Sequence, residues 1–212
     1  MKDQEGVIKY HLEHQQQALD LGFSFSQINT WRTIMFRLQL IGQDPKRYDN
    51  LGFGNISQRL DGATAQYLIS GTQTGHLEYL QPSQYSLVVS AEPRKNTLAS
   101  IGLCKPSSEA LTHASIYQQD PQIQAVIHVH SPEIWRQTHA LGLPHTVADV
   151  PYGTVEMALA VEQLLTAGDL QKTPIFTMLG HEDGVVAVGN SHQDAALTLI
   201  RYLALAVALE HA

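Results

Sequence analysis

The spacing of apolar residues predicts helices at both ends of the chain and short strands between them. Apolar positions recur at helical intervals over 7–21, and again downstream of a cap at Asn29 or Thr30. Alternating or continuous apolar runs predict strands at 56–60, 67–69, 85–90, 125–130, 176–179 and 185–188. Helical patterns also cover 110–117, 132–135 and 156–165. The pair Ser191 and Asp194 predicts a capping box that opens a terminal helix.

The order of these elements predicts the α/β class. Short strands follow one another early in the chain and later alternate with helices, which also suits an α+β fold with a largely antiparallel or mixed sheet. No repeat, low-complexity segment or Pro/Gly/Ser-rich linker divides the 212 residues, a length that fits one domain. We therefore expect a single domain over 1–212, in which about residues 1–25 form an N-terminal helical extension.

Composition and charge narrow the class of protein. Hydrophobic residues make up 43% of the chain, which excludes a disordered protein, and 13 Lys and Arg against 20 Asp and Glu give a net charge of −7. The basic residues do not cluster, so we expect no nucleic-acid partner. Residues 1–17 are too polar for a secretory leader, and the most apolar stretch, 195–209, is too short to span a membrane. With Cys104 as its one cysteine, the chain is expected in the reducing cytoplasm.

Two histidines on a predicted strand are the clearest sign of chemistry. His128 and His130 lie two residues apart, so their side chains project from the same face of the strand. Ile127 and Val129 then point into the core. Two imidazoles at this spacing can chelate one metal ion. The alternative is that both histidines simply occupy a polar face of the sheet.

Two further residues complete a candidate metal site. His181 lies in a glycine-bounded turn between two apolar runs, and Glu109 begins a predicted helix, whose dipole favours a carboxylate. Three histidines and one carboxylate suit one divalent ion, zinc first and manganese, cobalt or iron next. A carboxylate ligand that substrate can displace is also a candidate base. Without the histidines, the electrostatics of a helix start would explain Glu109 better. His113, four residues later, is either a partner of Glu109 or a packed core histidine.

A second group of residues is able to surround an anion. Small and polar residues occur where predicted strands and helices meet turns, namely Gly54-Asn55, Ser70-Gly71-Thr72 and Ser107-Ser108, where Ser107 or Ser108 is also the expected helix cap. Backbone N–H groups and hydroxyls at such junctions can enclose a phosphate. Each segment singly is typical of an ordinary turn. The chain contains neither a Walker loop nor a dinucleotide fingerprint, so ATP or NAD chemistry is not supported.

Taken in order, these motifs resemble those of the class II aldolase/adducin family. The resemblance covers the chain from about Ile28 to the C-terminus. It is carried by Gly54-Asn55-Ile56-Ser57, Pro106-Ser107-Ser108-Glu109, His128-Val129-His130 and a glycine-preceded His181. The family includes fuculose-1-phosphate aldolase, ribulose-5-phosphate 4-epimerase and methylthioribulose-1-phosphate dehydratase, and the chain resembles the fuculose-phosphate aldolases in outline.

The resemblance implies a three-layer α/β/α fold with a central, mainly antiparallel sheet, and a homotetramer with active sites between subunits. It implies a small sugar phosphate as substrate. It also implies that Glu109 is a metal-linked catalytic carboxylate, and that the remaining metal ligands are His128, His130 and His181. The phosphate-binding positions that it implies are Asn55, Ser70, Gly71, Ser107 and Ser108.

The chain departs from the family pattern in two places. Glu182-Asp183 follow the third histidine where the family commonly has glycine, so the third ligand is either His181 or Asp183. The phosphate loop over 70–75 is also longer than usual, so the natural anion need not be a plain sugar phosphate. Family aldolases further use a tyrosine as proton donor, and Tyr152 is the nearest candidate for that role.

From the site and the resemblance we expect a metal-dependent aldehyde-lyase that cleaves a small phosphorylated ketose by retro-aldol chemistry. The metal would bind the carbonyl and adjacent hydroxyl of the substrate and stabilise an enediolate, while Glu109 moves the proton. A sugar-phosphate 4-epimerase and a methylthioribulose-1-phosphate-type dehydratase need nearly the same site and remain alternatives. A non-catalytic, adducin-like scaffold is a further alternative, against which the complete set of three histidines and Glu109 argues.

Overall fold

The computed structural model describes residues 7–20, 22, 24–61 and 64–211. Its strands are β1 (His11–Gln16), β2 (Gly42–Gln43), β3 (Gly52–Phe53), β4 (Asn55–Arg59), β5 (Tyr67–Ser70), β6 (Tyr85–Glu92), β7 (Thr97–Gly102), β8 (Ala125–His130), β9 (His145–Thr146), β10 (Ile175–Met178) and β11 (Gly184–Gly189). Its helices are α1 (Ser26–Arg37), α2 (Ala110–Gln119), α3 (Pro132–Arg136), α4 (Val155–Thr166), α5 (Asp169–Lys172) and α6 (His192–Glu210).

Nine of these strands form one sheet in the order β1-β7-β6-β5-β4-β8-β11-β10-β9. Neighbouring strands are antiparallel, except that β1 runs parallel to β7 and β9 runs parallel to β10. β8 lies between β4 and β11, where Asn55 pairs with His128 and Gly184 pairs with His130. His128 is therefore held by strands on either side, and His130 by β11. β2 and β3 form a separate antiparallel pair.

Side chains of the sheet alternate between two hydrophobic cores, one on each face. On β8, Val126 packs in the core that contains α2, α4 and α5 residues. Ile127 and Val129 pack in the other core, with residues of α1, α3 and α6, as the sequence predicts. The helices thus form a layer on each face of the sheet. The expected three-layer α/β/α fold with a mainly antiparallel central sheet is confirmed.

The N-terminal helical extension expected over about 1–25 is wrong. Residues His11–Gln16 form β1, which pairs with β7 at one edge of the sheet. The edge of β7 offers backbone donors and acceptors to an incoming strand, and six paired residues outweigh a helical apolar pattern of low amplitude. A side-chain contact adds to this pairing, since His14 Nδ1 lies 2.9 Å from Ser100 Oγ. The parts of the expected extension that lie outside the described residues are 1–6, 21 and 23.

The other predicted elements are present, with small shifts of their ends. β8 has the predicted bounds, whereas α1 begins at Ser26 rather than at Asn29 or Thr30. Asn29 is buried, and its side-chain amide donates to the carbonyl of Leu80 at 2.8 Å. Ser191 caps α6 as predicted. In the ranges that the structure describes, no helix combines the length and apolar character needed to cross a membrane.

Candidate functional site

Four buried side chains converge beside the end of β8. Glu109, His128, His130 and His181 each offer one nitrogen or oxygen atom, and these four atoms all lie within 4.8 Å of one another. The structure thus brings together the three histidines and the carboxylate that the sequence singled out. We call this set the tetrad.

The histidines of the tetrad are positioned by β8 and by the turn before β11. His128 and His130 leave β8 on the same face, with ring centroids 5.0 Å apart. The His181 ring lies 5.3 Å from that of His128 and 4.8 Å from that of His130. The turn requires glycine at Gly180, because a Cβ there would lie 2.0 Å from the carbonyl oxygen of Val150. This close approach fixes the backbone from which His181 reaches the other two rings.

Glu109 enters the tetrad from the start of α2. The helix begins one residue after it, so Glu109 itself takes the N-cap position that was predicted for Ser107 or Ser108, and its side chain caps no helix N–H. Instead, Glu109 Oε1 lies 3.1 Å from His128 Nε2 and 3.3 Å from His181 Nδ1. The carboxylate is therefore directed at the histidines rather than at the helix.

The electrostatics of the tetrad favour an ionised Glu109 carboxylate and a neutral His130 imidazole. Burial alone would raise the pKa of the Glu109 carboxyl, but His128 and His181 hold that pKa below its usual range. Burial lowers the pKa of His130 well below its usual value, and the neighbouring histidines lower it further. An ionised carboxylate and neutral imidazoles are the protonation states that a metal ion requires of its ligands.

The donor atoms of the tetrad fit a divalent metal ion. Three imidazole nitrogens and one carboxylate oxygen form a ligand set that zinc and similar ions accept. In the described part of the chain, the buried Glu109 Oε2 has no hydrogen-bond partner. Buried polar atoms are normally satisfied, and a cation held among these side chains would satisfy the carboxylate. The tetrad therefore has the composition, burial and spacing of a metal site.

A narrow cleft borders Glu109 on one side of the tetrad. Four of the five residues predicted to bind an anion line it, namely Asn55, Gly71, Ser107 and Ser108. Ser70 is not among the lining residues, since its hydroxyl is turned toward the sheet and accepts from the N–H of Ile56 at 3.2 Å. The cleft is further lined by glycines and by the longer loop noted in the sequence, including Gly52, Gly54, Thr72, Gln73, Thr74 and Gly75.

The backbone of this cleft is closely packed. A Cβ at Gly71 would lie 2.5 Å from Cys104 Sγ and 3.1 Å from the carbonyl oxygen of Gln84. Glycine at this position lets the loop pass against Cys104, while the N–H of Ser107 donates to the carbonyl of Ser70. The cleft therefore presents small side chains and backbone to whatever lies beside Glu109.

A larger cavity of about 530 Å³ opens next to His181. Its lining is mostly charged or hydroxylated and includes Lys46, Arg47, Tyr48, Asp49, Glu182 and Asp183. Tyr152 also lines the cavity, and its buried ring stacks on His181 with centroids 4.5 Å apart. Lys9 Nζ lies 3.8 Å from the centroid of the Tyr152 ring and donates to the backbone carbonyl oxygen of Tyr152. The structure thus places the predicted tyrosine at the tetrad.

Asp183, the alternative third ligand, is engaged elsewhere. Its Oδ2 accepts a hydrogen bond of 2.5 Å from the Tyr48 hydroxyl and lies 3.9 Å from a guanidinium nitrogen of Arg47. His181, and not Asp183, belongs to the tetrad. Tyr48, which no sequence motif indicates, packs its ring edge-on against His130 with centroids 4.6 Å apart. Its position depends on the tertiary fold, and no local spacing pattern marks it.

The chain matches a known family over most of its length. The sequence model of the family described as "Class II Aldolase and Adducin N-terminal domain" matches residues 44–208. A methylthioribulose-1-phosphate dehydratase from Methylococcus capsulatus is 37% identical over 79 residues, which are 37% of this chain and 34% of that protein. The match thus spans about a third of the length of this relative.

Solved structures of similar fold include two bacterial aldolases. An L-fuculose-1-phosphate aldolase from Thermus thermophilus is 17% identical, with a TM-score of 0.64 over 88% of this chain and 92% of that chain. A sugar-phosphate aldolase from Thermotoga maritima is 18% identical, with a TM-score of 0.66 over 87% of this chain and 92% of that chain. At these identities the similarity establishes the fold. The family match shows that the chain belongs to the class II aldolase and adducin family.

Proposed function

We propose that this protein is a metal-dependent aldehyde-lyase that cleaves a small phosphorylated ketose by retro-aldol chemistry. The observation that carries the proposal is the buried tetrad, in which one carboxylate and three histidines each offer a ligand atom to a single metal ion. A purely structural metal site has no need of a carboxylate that substrate can displace. The ligands of the site are then His128, His130 and His181, together with Glu109 before substrate binds.

In the proposed reaction, a bound metal would stabilise charge, and side chains of the protein would transfer protons. A divalent ion held there supplies Lewis-acid stabilisation of the negative charge that develops as the carbon–carbon bond breaks. Glu109, ionised and buried, takes the proton of the substrate hydroxyl whose carbon becomes the aldehyde. Tyr152, stacked on His181, is the candidate donor that returns a proton to the remaining fragment. Both residues lie within a few ångströms of the histidines, where a small ketose would bind.

The two openings beside the tetrad suit the two ends of such a substrate. The narrow cleft is lined by Asn55, Gly71, Ser107 and Ser108, and backbone N–H groups and hydroxyls are good phosphate ligands. Ser70 would contribute through its backbone, which anchors Ser107. The larger cavity next to His181 would receive the rest of the chain.

The relative from Methylococcus capsulatus supports a second candidate, a methylthioribulose-1-phosphate dehydratase. That reaction begins with removal of a carbon-bound proton beside a carbonyl rather than a hydroxyl proton, and a carboxylate in the position of Glu109 is suited to either step. The lining of the larger cavity argues for the lyase, because charged residues there match the hydroxyls of a sugar better than an apolar thioether. A sugar-phosphate 4-epimerase using the same retro-aldol step is a third candidate.

We further propose zinc as the ion, one per chain, since three imidazoles and a carboxylate suit it best, with manganese, cobalt or iron next. From the family we propose a homotetramer, which light scattering of the purified protein would test. A cytoplasmic location is proposed from the use of a single cysteine.

Turnover of a substrate panel tests the proposal. Metal-loaded protein is expected to release an aldehyde from a ketose-1-phosphate and to leave ketopentose-5-phosphates and methylthioribulose-1-phosphate largely unchanged. Dehydration of methylthioribulose-1-phosphate, or epimerisation of a ketopentose-5-phosphate, would assign the corresponding alternative. Absence of turnover across the whole panel by protein that holds metal would overturn the sugar-phosphate proposal and favour an adducin-like scaffold.

A further inference from the structure

A buried polar network includes His113, which lies one helical turn after Glu109. It joins β4 to α2 through the side chains of Ser57, His113 and Tyr117, all of which are buried. Ser57 Oγ lies 2.7 Å from His113 Nδ1 and 2.7 Å from the Tyr117 hydroxyl. Such groups are costly to bury between a sheet and a helix, so their placement calls for a reason beyond packing.

One nitrogen of His113 is left over from this network. His113 Nε2 is buried and has no hydrogen-bond partner among the residues described. Glu109 Oε2 is another buried atom that lacks a hydrogen-bond partner in the described ranges, as are Asn55 Oδ1 and both ring nitrogens of His128. The two residues lie four apart at the start of α2, which places their side chains on the same face of the helix.

The network determines which ring nitrogen of His113 carries the proton. Burial lowers the pKa of His113 to about 3, so the ring is neutral and has a single N–H. If Tyr117 donates to Ser57 and Ser57 donates to His113 Nδ1, the ring proton is left on Nε2. The Glu109 carboxylate acts on this ring through space, since its negative charge raises the pKa of His113 against the effect of burial.

We propose that His113 is a positioning residue for Glu109, whose carboxylate it holds through Nε2–H in the orientation from which proton transfer occurs. When substrate displaces the carboxylate from the histidines, Glu109 Oε2 and His113 Nε2–H pair, and both buried atoms gain a partner. Ser57 and Tyr117 act by keeping the proton on Nε2. The inference rests on the proposed role of Glu109 in proton transfer.

The tautomer of His113 is the first test, and it does not depend on activity. Nitrogen-15 NMR of the labelled full-length protein, with and without added zinc, distinguishes a protonated from an unprotonated ring nitrogen. The expected result is a neutral ring with the proton on Nε2, which moves toward a mixture of tautomers in Ser57→Ala. A proton on Nδ1 in the parent protein would overturn the proposal.

Two substitutions of His113 test the roles of its two ring nitrogens separately. The amide of His113→Gln reaches the place of Nε2 and keeps a donor toward Glu109, whereas that of His113→Asn reaches the place of Nδ1 and keeps only the contact with Ser57. We expect kcat to fall about 10- to 100-fold in His113→Asn and about threefold or less in His113→Gln, with KM nearly unchanged in both. Zinc content is expected to stay near that of the parent.

His192→Gln is the matched control. His192 is also buried, and its Nε2 donates to the backbone carbonyl of Ser57 at 3.2 Å. This bond does not involve the Ser57 hydroxyl, which joins His113 to Tyr117. We expect its kcat to stay within about twofold of the parent. Equal losses in His113→Gln and His113→Asn, in proportion to their loss of thermal stability, would show a packing role and overturn the inference. If no substrate turns over, the proposed function fails, while the NMR result still decides the tautomer.

Discussion

Glu109 is a residue whose burial would be unfavourable in most proteins. Its carboxylate is almost fully inaccessible to water, and the side chains that face it are histidines rather than arginine or lysine. An isolated buried charge is costly, and imidazoles that remain neutral compensate for it only in part. A divalent ion among these side chains would compensate in full. At the scale of single residues, the burial of Glu109 is thus a local loss of stability, which its proposed role as a base would explain.

Replacing that carboxylate by an amide tests its role as a base. Glu109→Gln keeps the size of the side chain and one possible ligand oxygen but cannot accept a proton, so turnover is expected to fall about 10²- to 10⁴-fold. Bound metal, measured by elemental analysis, should be reduced but present. Glu156→Gln, which changes an exposed carboxylate on α4, serves as the control and should match the parent. Unchanged turnover in Glu109→Gln would exclude Glu109 as the base.

Removal of the Ser108 hydroxyl tests whether the narrow cleft binds the phosphate. Ser108 is buried and lines the cleft, and a hydrogen bond from its hydroxyl to a phosphate would be worth about 1.5–3 kcal/mol. Ser108→Ala is therefore expected to raise KM for a phosphorylated substrate by roughly tenfold or more, with kcat nearly unchanged. Ser115→Ala, on α2 away from the cleft, is the control because its hydroxyl bonds only within the helix. A KM equal to that of the parent would place the anion elsewhere.

At the scale of elements, α6 is attached to the sheet by a titratable side chain at its first residue. His192 donates to the carbonyl of Ser57 on β4, and burial lowers its pKa from 6.5 to about 4 despite that bond. Since the folded-state pKa lies below that of the unfolded chain, this residue contributes its full stability above about pH 6.5 and loses it as the pH falls toward 4. The amount is about 3 kcal/mol.

This linkage is measurable in a single substitution. Glutamine at position 192 can still donate to Ser57 but does not titrate, so His192→Gln should lose less stability than the parent between pH 7 and about pH 4.5. Urea unfolding at several pH values, with the same zinc concentration throughout, gives the comparison, because the pH dependence of metal binding is common to both proteins. Parallel pH profiles would show that His192 is not buried as a neutral ring.

The elements that the sequence predicted well are those whose pattern is decided locally. β8 is a continuous apolar run with two histidines, and its bounds follow from that run. The helical spacing over 7–21 predicts a helix where β1 lies. The six residues of β1 are almost all polar and show no alternation of their own, and their pairing with the edge of β7 makes them a strand. The short pairings of β2, β3 and β9 are two residues each, below the length that alternation can reveal.

The residues of the candidate site also differ in how far the local sequence predicts them. His128 and His130 share a strand, so their common face follows from spacing alone, and Glu109 and His181 joined them through motifs. Tyr48 lies in a segment with three consecutive residues of positive φ, 48–50, and no local signal indicates that its ring would reach His130. Contacts of this kind depend on how the chain returns to the sheet.

For the whole molecule, the tetrad connects elements that are distant in sequence, so a ligand there should stabilise the entire fold. Zinc at about 100 times its dissociation constant would add about 2.7 kcal/mol, which corresponds to a rise in Tm of roughly 5–10 °C for a chain of this length. The double variant His128→Ala/His130→Ala should show no such rise and should contain no metal. A similar rise in both proteins would indicate a metal site outside the tetrad.

The contact between Lys9 and Tyr152 has a practical consequence for anyone who shortens this protein. The residues that match the family begin at position 44, so a fragment trimmed to that boundary would lose Lys9, β1 and α1 together. It would remove the cation above the Tyr152 ring and expose the core that Ile28 and Met35 fill.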